Sequence, residues 1–159
     1  PGLSSGIIGV MSLLGPLCSI KLFQKFGRKG IIVGGFLGMS VFHIATAVSY
    51  SLGSSVMCLL SMSCVVFIWQ MTLGCVFFVY ICEVLCGAAI GMANLMGTLS
   101  ICSITYLSPM IIEKFEINTI FYGWATIQII PLVLFKIYMK ETKGLNYEEK
   151  SALYKQKNV

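Results

Sequence analysis

Residues 30–82 read GIIVGGFLGMSVFHIATAVSYSLGSSVMCLLSMSCVVFIWQMTLGCVFFVYIC, without one Lys, Arg, Asp or Glu. At 1.5 Å per residue a single helix over this run would be ~80 Å long, against a hydrocarbon core of about 30 Å. The run has to fold back on itself, and Ser51-Leu52-Gly53-Ser54-Ser55 has the composition of a turn. Two membrane spans follow, over about 30–50 and 56–82. Strands are the weak alternative: Val65-Val66-Phe67-Ile68-Trp69 is continuously apolar, where a barrel strand would alternate.

The same reading extends in both directions. Pro1–Ile20, Val84–Ile112 and Ile117–Phe135 are also free of charge, which predicts further spans over about 3–22, 88–112 and 118–139. A soluble domain carries about 25% charged residues; here the figure is 11%, with 57% hydrophobic residues and a mean hydropathy of +0.90. The fold class is therefore an all-α membrane protein with five transmembrane helices in residues 1–139 and a polar tail over 140–159. Within that tail Tyr147-Glu148-Glu149-Lys150 is expected on a short amphipathic helix. The chain begins at Pro1 rather than Met, which reads as part of a longer protein.

The net charge of +5 does not point to nucleic acid, because the basic residues sit at span ends and form no basic stripe on a soluble face. Lys21, Lys25, Arg28 and Lys29 follow the first span; Lys136, Lys140, Lys143, Lys150, Lys155 and Lys157 lie in the last span and tail. Five spans put both groups on one side, which the positive-inside rule assigns to the cytoplasm. Ten of the eleven basic residues agree, Lys114 being the exception. Gly34 with Gly38, and Gly87 with Gly91, have the four-residue spacing that lets helices approach closely in lipid.

Other chemistry is thin. The seven cysteines are unpatterned, and although Cys82, Glu83 and Cys86 lie close in sequence, no zinc-type ligand set is complete, so no metal is expected. His43 reads as a neutral side chain bonded to a backbone carbonyl. There is no nucleophile with a base and no phosphate-cradling loop, so neither an enzyme nor a cofactor is expected.

Three features remain. One is Lys25-Phe26-Gly27-Arg28-Lys29-Gly30 between the first two spans; another is Glu83, a carboxylate between long apolar runs. The third is Lys140-Glu141-Thr142-Lys143-Gly144-Leu145-Asn146-Tyr147-Glu148-Glu149 after the last span. In this order and at these distances the chain resembles the sugar-porter family of the major facilitator superfamily. That family carries an acidic-Arg-x-Gly-Arg-Arg loop between its eighth and ninth helices and a Glu at the cytoplasmic end of the tenth. Pro-Glu-Thr-Lys-Gly with an acidic pair follows its twelfth. The resemblance implies that these are helices eight to twelve, a C-terminal bundle that operates with an N-terminal half.

It further implies alternating access for a small polar solute, possibly a hexose, with Arg28, Lys29, Glu83 and Glu141 in a cytoplasmic gate. An unpaired Glu83 near the membrane face would cost about 2.5–3.5 kcal/mol, so a basic partner is expected. The resemblance places Ser12, Gln70, Phe78 and Asn94 along the solute path, with the second and fifth spans facing lipid. The family pattern is not complete. Gln24-Lys25 stands at the acidic-Arg start, Gly74-Cys75 at the Gly-Pro hinge, Phe78 at a Trp, Ser12 at an Asn, Ile90 near an Arg, and Ser100-Ile101-Cys102 at an Asn-Trp pair. The alternative is a non-transporting remnant or regulatory membrane protein that keeps the helical frame.

Overall fold

The computed structural model describes residues 2–85 and 87–154. Their helices are α1 (Gly2–Lys25), α2 (Arg28–Ser51), α3 (Ser55–Met71), a π-helical turn (Leu73–Phe77), α4 (Phe78–Val84), α5 (Gly87–Lys114), α6 (Ile117–Ile127), α7 (Ile129–Tyr138) and α8 (Tyr147–Ala152). No strand occurs among the described residues. Five continuous segments are long and apolar enough to cross a membrane: Ser4–Lys25, Arg28–Ser51, Ser55–Val84, Gly87–Lys114 and Ile117–Tyr138. Cys86, Lys155 and Lys157 lie outside the described residues.

The turn inside the long uncharged run is a glycine stop. Gly53 has φ +68°, a conformation with little steric cost only for glycine. Its amide bonds the Tyr50 carbonyl at 3.0 Å, and that of Ser54 reaches back to Ser49 at 3.1 Å, closing the Schellman pattern over orphan carbonyls of α2.

Two of the five spans are interrupted, which apolar patterning does not reveal. In the third, the Ile68 carbonyl accepts both the Thr72 amide at 2.9 Å and the Thr72 hydroxyl at 2.6 Å. A hydroxyl competing for the helix ladder distorts it, and the π turn begins at the next residue. In the fifth, Pro131 has no N–H for the Ile127 carbonyl, and the helix breaks at Gln128. Ser40 donates to Gln128 Oε1 at 3.1 Å. The His43 Nδ1 lies 2.8 Å from the Met39 carbonyl and 3.4 Å from Gln128 Nε2.

α2 is the centre of the bundle, packed on α3, α6 and α7, while α1 packs on α3. The core of Ile31, Ile32, Met39, Val65, Leu73, Val76, Tyr80 and Met139 lies mostly towards the end that carries the basic residues. Phe135 stacks on Phe36 with centroids 5.6 Å apart and meets Phe77 edge-on at 6.3 Å. Because lipid is as apolar as these side chains, helix association rests on close packing and polar contacts. The closest approaches occur at Gly15 and Gly35. A Cβ on Gly15 would lie 2.6 Å from Gln70 Cβ, and one on Gly35 would run into the Thr72 side chain.

The expected close approaches at Gly34, Gly87 and Gly91 do not occur among the described residues. None of the three has a neighbour within 4 Å of a built Cβ, and Gly38 meets only Ile68 at 3.3 Å. Spacing identifies glycines that share a face without saying whether that face is covered. α5 shows the same point at larger scale, since none of its residues is buried.

Candidate functional site

The basic end of the bundle is organised by two carboxylates. α2 starts with unsatisfied amides and Gly27, its N-cap, has no side chain to meet them. The Glu141 carboxylate does so from beyond the last span, accepting from Arg28 N at 2.8 Å and Lys29 N at 3.1 Å. It also accepts from the amides of Thr142 and Lys143, each at 3.0 Å. A negative group here complements the positive end of the α2 dipole. Two residues on, Lys143 Nζ donates to the Gln24 and Lys25 carbonyls at 3.0 Å, complementing the negative end of α1. One short segment thus caps both helices flanking the Phe26-Gly27 turn.

Glu83, at the end of α4, is the second carboxylate. Its Oε1 accepts from Arg28 Nη2 at 3.0 Å and from Lys150 Nζ at 2.8 Å, and its Oε2 accepts from the Thr142 hydroxyl at 2.6 Å. All three charged side chains are mostly covered, at 15–19% exposure, so their attraction is screened less than that of a surface pair. Arg28 also lies over the Phe23 ring, 5.7 Å from its centroid. Asn146 and Glu149 form a capping box that starts α8 and points Lys150 at Glu83. Tyr80 donates to the Lys140 carbonyl at 3.0 Å, and its oxygen lies 2.6 Å from the Tyr154 hydroxyl.

Among the four residues expected in a gate, Arg28 and Glu83 are therefore in direct contact. Glu141 meets the backbone of α2 rather than a basic side chain. Lys29 contributes its amide, and its ammonium has no ion-pair partner among the described residues. Thr142, Lys143, Lys150, Tyr80 and Tyr154 were not singled out by sequence. Thr142 and Lys143 lie inside the quoted tail motif, and Lys150 on the short amphipathic helix expected in the tail, so a signal for them was present; for the tyrosines there was none.

The residues expected along a solute path are spread over four helices. Ser12 on α1 and Gln70 on α3 are half-buried, whereas Phe78 on α4 and Asn94 on α5 are exposed. Gln70 is the most constrained, its Oε1 lying 2.7 Å from where a Cβ on Gly74 would be. No hydrogen bond joins any two of these four among the described residues. A cavity of about 410 Å³ lies instead between α5 and α6, walled by Ser108, Phe115, Phe121 and Trp124.

Five apolar helices with their part-buried ion pairs gathered at one end define a multi-pass α-helical membrane protein. Residues 2–154 match the family described as sugar (and other) transporters, and the chain belongs to that family. It is similar to the D-xylose-proton symporter of Escherichia coli (strain K12), 27% identical over 160 residues, covering 93% of this chain and 32% of that protein. The probable plastidic glucose transporter 1 of Arabidopsis thaliana is 26% identical over 162 residues, covering 93% of this chain and 31% of that protein. The inward open structure of the xylose transporter XylE from E. coli superposes with a TM-score of 0.83 at 26% identity, covering 95% of this chain and 35% of that one. The fold is that of the major facilitator superfamily. The chain spans about a third of the length of the curated relatives it matches.

Proposed function

We propose that the chain forms helices eight to twelve of a sugar transporter working by alternating access, with a preceding N-terminal half as its partner. The observation that carries this reading is the contact of Arg28 with Glu83 in a chain of the sugar transporter family. That pair ties the start of α2 to the end of α4. Paired, it closes the cytoplasmic end; parted, it lets that end open. A partly hydrated pair contributes about 1 kcal/mol or less, which suits two conformations that must lie close in free energy. Glu141 sets the position of α2 and hence of Arg28, while Ser12, Gln70, Phe78 and Asn94 face the solute path. The tail is cytoplasmic. The solute is a monosaccharide, by the names of the relatives.

The test is uptake of labelled D-xylose and D-glucose by the full-length protein in proteoliposomes. Glu83→Ala is expected to slow uptake about fivefold, the equivalent of a pair worth about 1 kcal/mol; an unchanged rate removes the gate. A second reading, a remnant or regulatory family member that keeps the frame but moves nothing, is favoured by the departures from the family pattern, with Ser12 at an Asn, Phe78 at a Trp and Ser100-Ile101-Cys102 at an Asn-Trp pair. A correctly inserted full-length protein that takes up neither sugar would select it.

A further inference from the structure

Arg28 meets Glu83 with a single nitrogen. Its Nη2 lies 3.0 Å from Oε1, while its Nε is buried and has no acceptor among the described residues. A guanidinium offers Nε and one Nη along a common edge, matched in spacing to the two oxygens of a carboxylate. That edge goes unused here. The reason is visible on Glu83, where Oε1 is shared with Lys150 at 2.8 Å and Oε2 is taken by the Thr142 hydroxyl at 2.6 Å. A buried donor without a partner is costly, so the arrangement persists only while something holds Glu83 turned away.

We propose that Lys150 is a positioning residue: by drawing on Oε1 from α8 it keeps Glu83 off the paired edge of Arg28. When α8 leaves, Oε1 loses its Lys150 partner and Glu83 turns to accept from both Nε and Nη2, with Oε2 able to keep the Thr142 hydroxyl as a second donor. Docking of α8 therefore weakens the tie between α2 and α4, although it adds an ion pair to the structure. The helix is built to come and go. It has six residues, far fewer than a helix needs for stability alone. Its attachments are polar: Lys150 on Glu83, the Tyr154 hydroxyl against Tyr80, and the Lys140 amide donating to Tyr154 at 2.9 Å. On the gate reading, on which this functional consequence rests, a docked α8 eases opening of the cytoplasmic end and a released one holds it shut.

The experiment is a double-mutant cycle of Arg28→Met and Glu83→Gln in the full-length protein, read by thermal unfolding, first with Lys150 and then in Lys150→Met. The Arg28–Glu83 coupling is expected to rise about fivefold in the folded-to-unfolded ratio once Lys150 is gone, as one more charge-assisted bond forms. Tyr154→Phe, which loosens α8 without touching a charge, should move the coupling the same way, and Lys150→Arg should restore it. A coupling that stays level or falls in Lys150→Met overturns the proposal. Sugar exchange by the same variants separates the two readings. Raised coupling with unaltered exchange keeps the role of Lys150 and removes the gate; altered exchange with level coupling does the reverse.

Discussion

A methyl group at Gly27 would occupy the space filled by the Glu141 carboxylate, so the residue must be small because of a side chain more than a hundred positions away. Gly27 has φ −75°, which any residue can adopt, so backbone freedom is not the reason. Gly27→Ala is expected to displace the carboxylate from the α2 amides and cost about 1–2 kcal/mol, the usual worth of an N-cap. Thermal unfolding would show it. In a Glu141→Ala background the same substitution should cost almost nothing, because residues in contact are not additive. Gly15 and Gly91 make a second contrast. Gly15→Ala pushes a Cβ into Gln70 and the backbone of α3 and should cost about 1–3 kcal/mol by overpacking. Gly91→Ala meets nothing within 4 Å and should stay within about 0.5 kcal/mol of the parent.

Among the elements, the broken spans show what could and could not be read from the chain. The absence of charge from 30–82 requires two crossings, and the Ser-Leu-Gly-Ser-Ser turn locates the fold-back, because both follow from local composition. The breaks at Thr72 and Gln128 are different. Pro131 was visible, but its effect depends on whether a neighbouring helix takes up the freed polar groups, which is a tertiary matter. Gln128 illustrates this, since its amide oxygen accepts from Ser40 of α2. Gln128→Leu is expected to cost only about 0.6 kcal/mol on thermal unfolding, the average for polar contacts within membranes. Ser40 can then give its single proton wholly to the Phe36 carbonyl, 3.0 Å away. A loss of several kcal/mol would mean that the contact does more than join α2 to the fifth span.

For the molecule as a whole, charge position was the most legible feature and side-chain partnership the least. Glu83 stood out because an ionised group beside hydrocarbon needs a partner, and Arg28 and Glu141 through the loop and tail motifs that carry the family resemblance. Which partner each takes depends on how the tail folds back, so neither the link from Glu141 to the α2 amides nor that from Lys150 to Glu83 follows from spacing. That fold-back also constrains topology. Lys143 bonds the carbonyls of Gln24 and Lys25, and Lys150 bonds Glu83, so the first basic loop, the end of the third span and the tail form one surface. They must share a side of the bilayer, and the turn at Leu52-Gly53, one full span away along α2, must lie on the other. Single cysteines placed at Lys25, Ala152 and Leu52 in a cysteine-free full-length protein test this with a membrane-impermeant maleimide. Lys25→Cys and Ala152→Cys should label together from the cytoplasmic side, and Leu52→Cys only from the opposite side. Labelling of Lys25→Cys and Ala152→Cys from different sides would break the surface that joins α2, α4 and the tail, and with it both carboxylate sites.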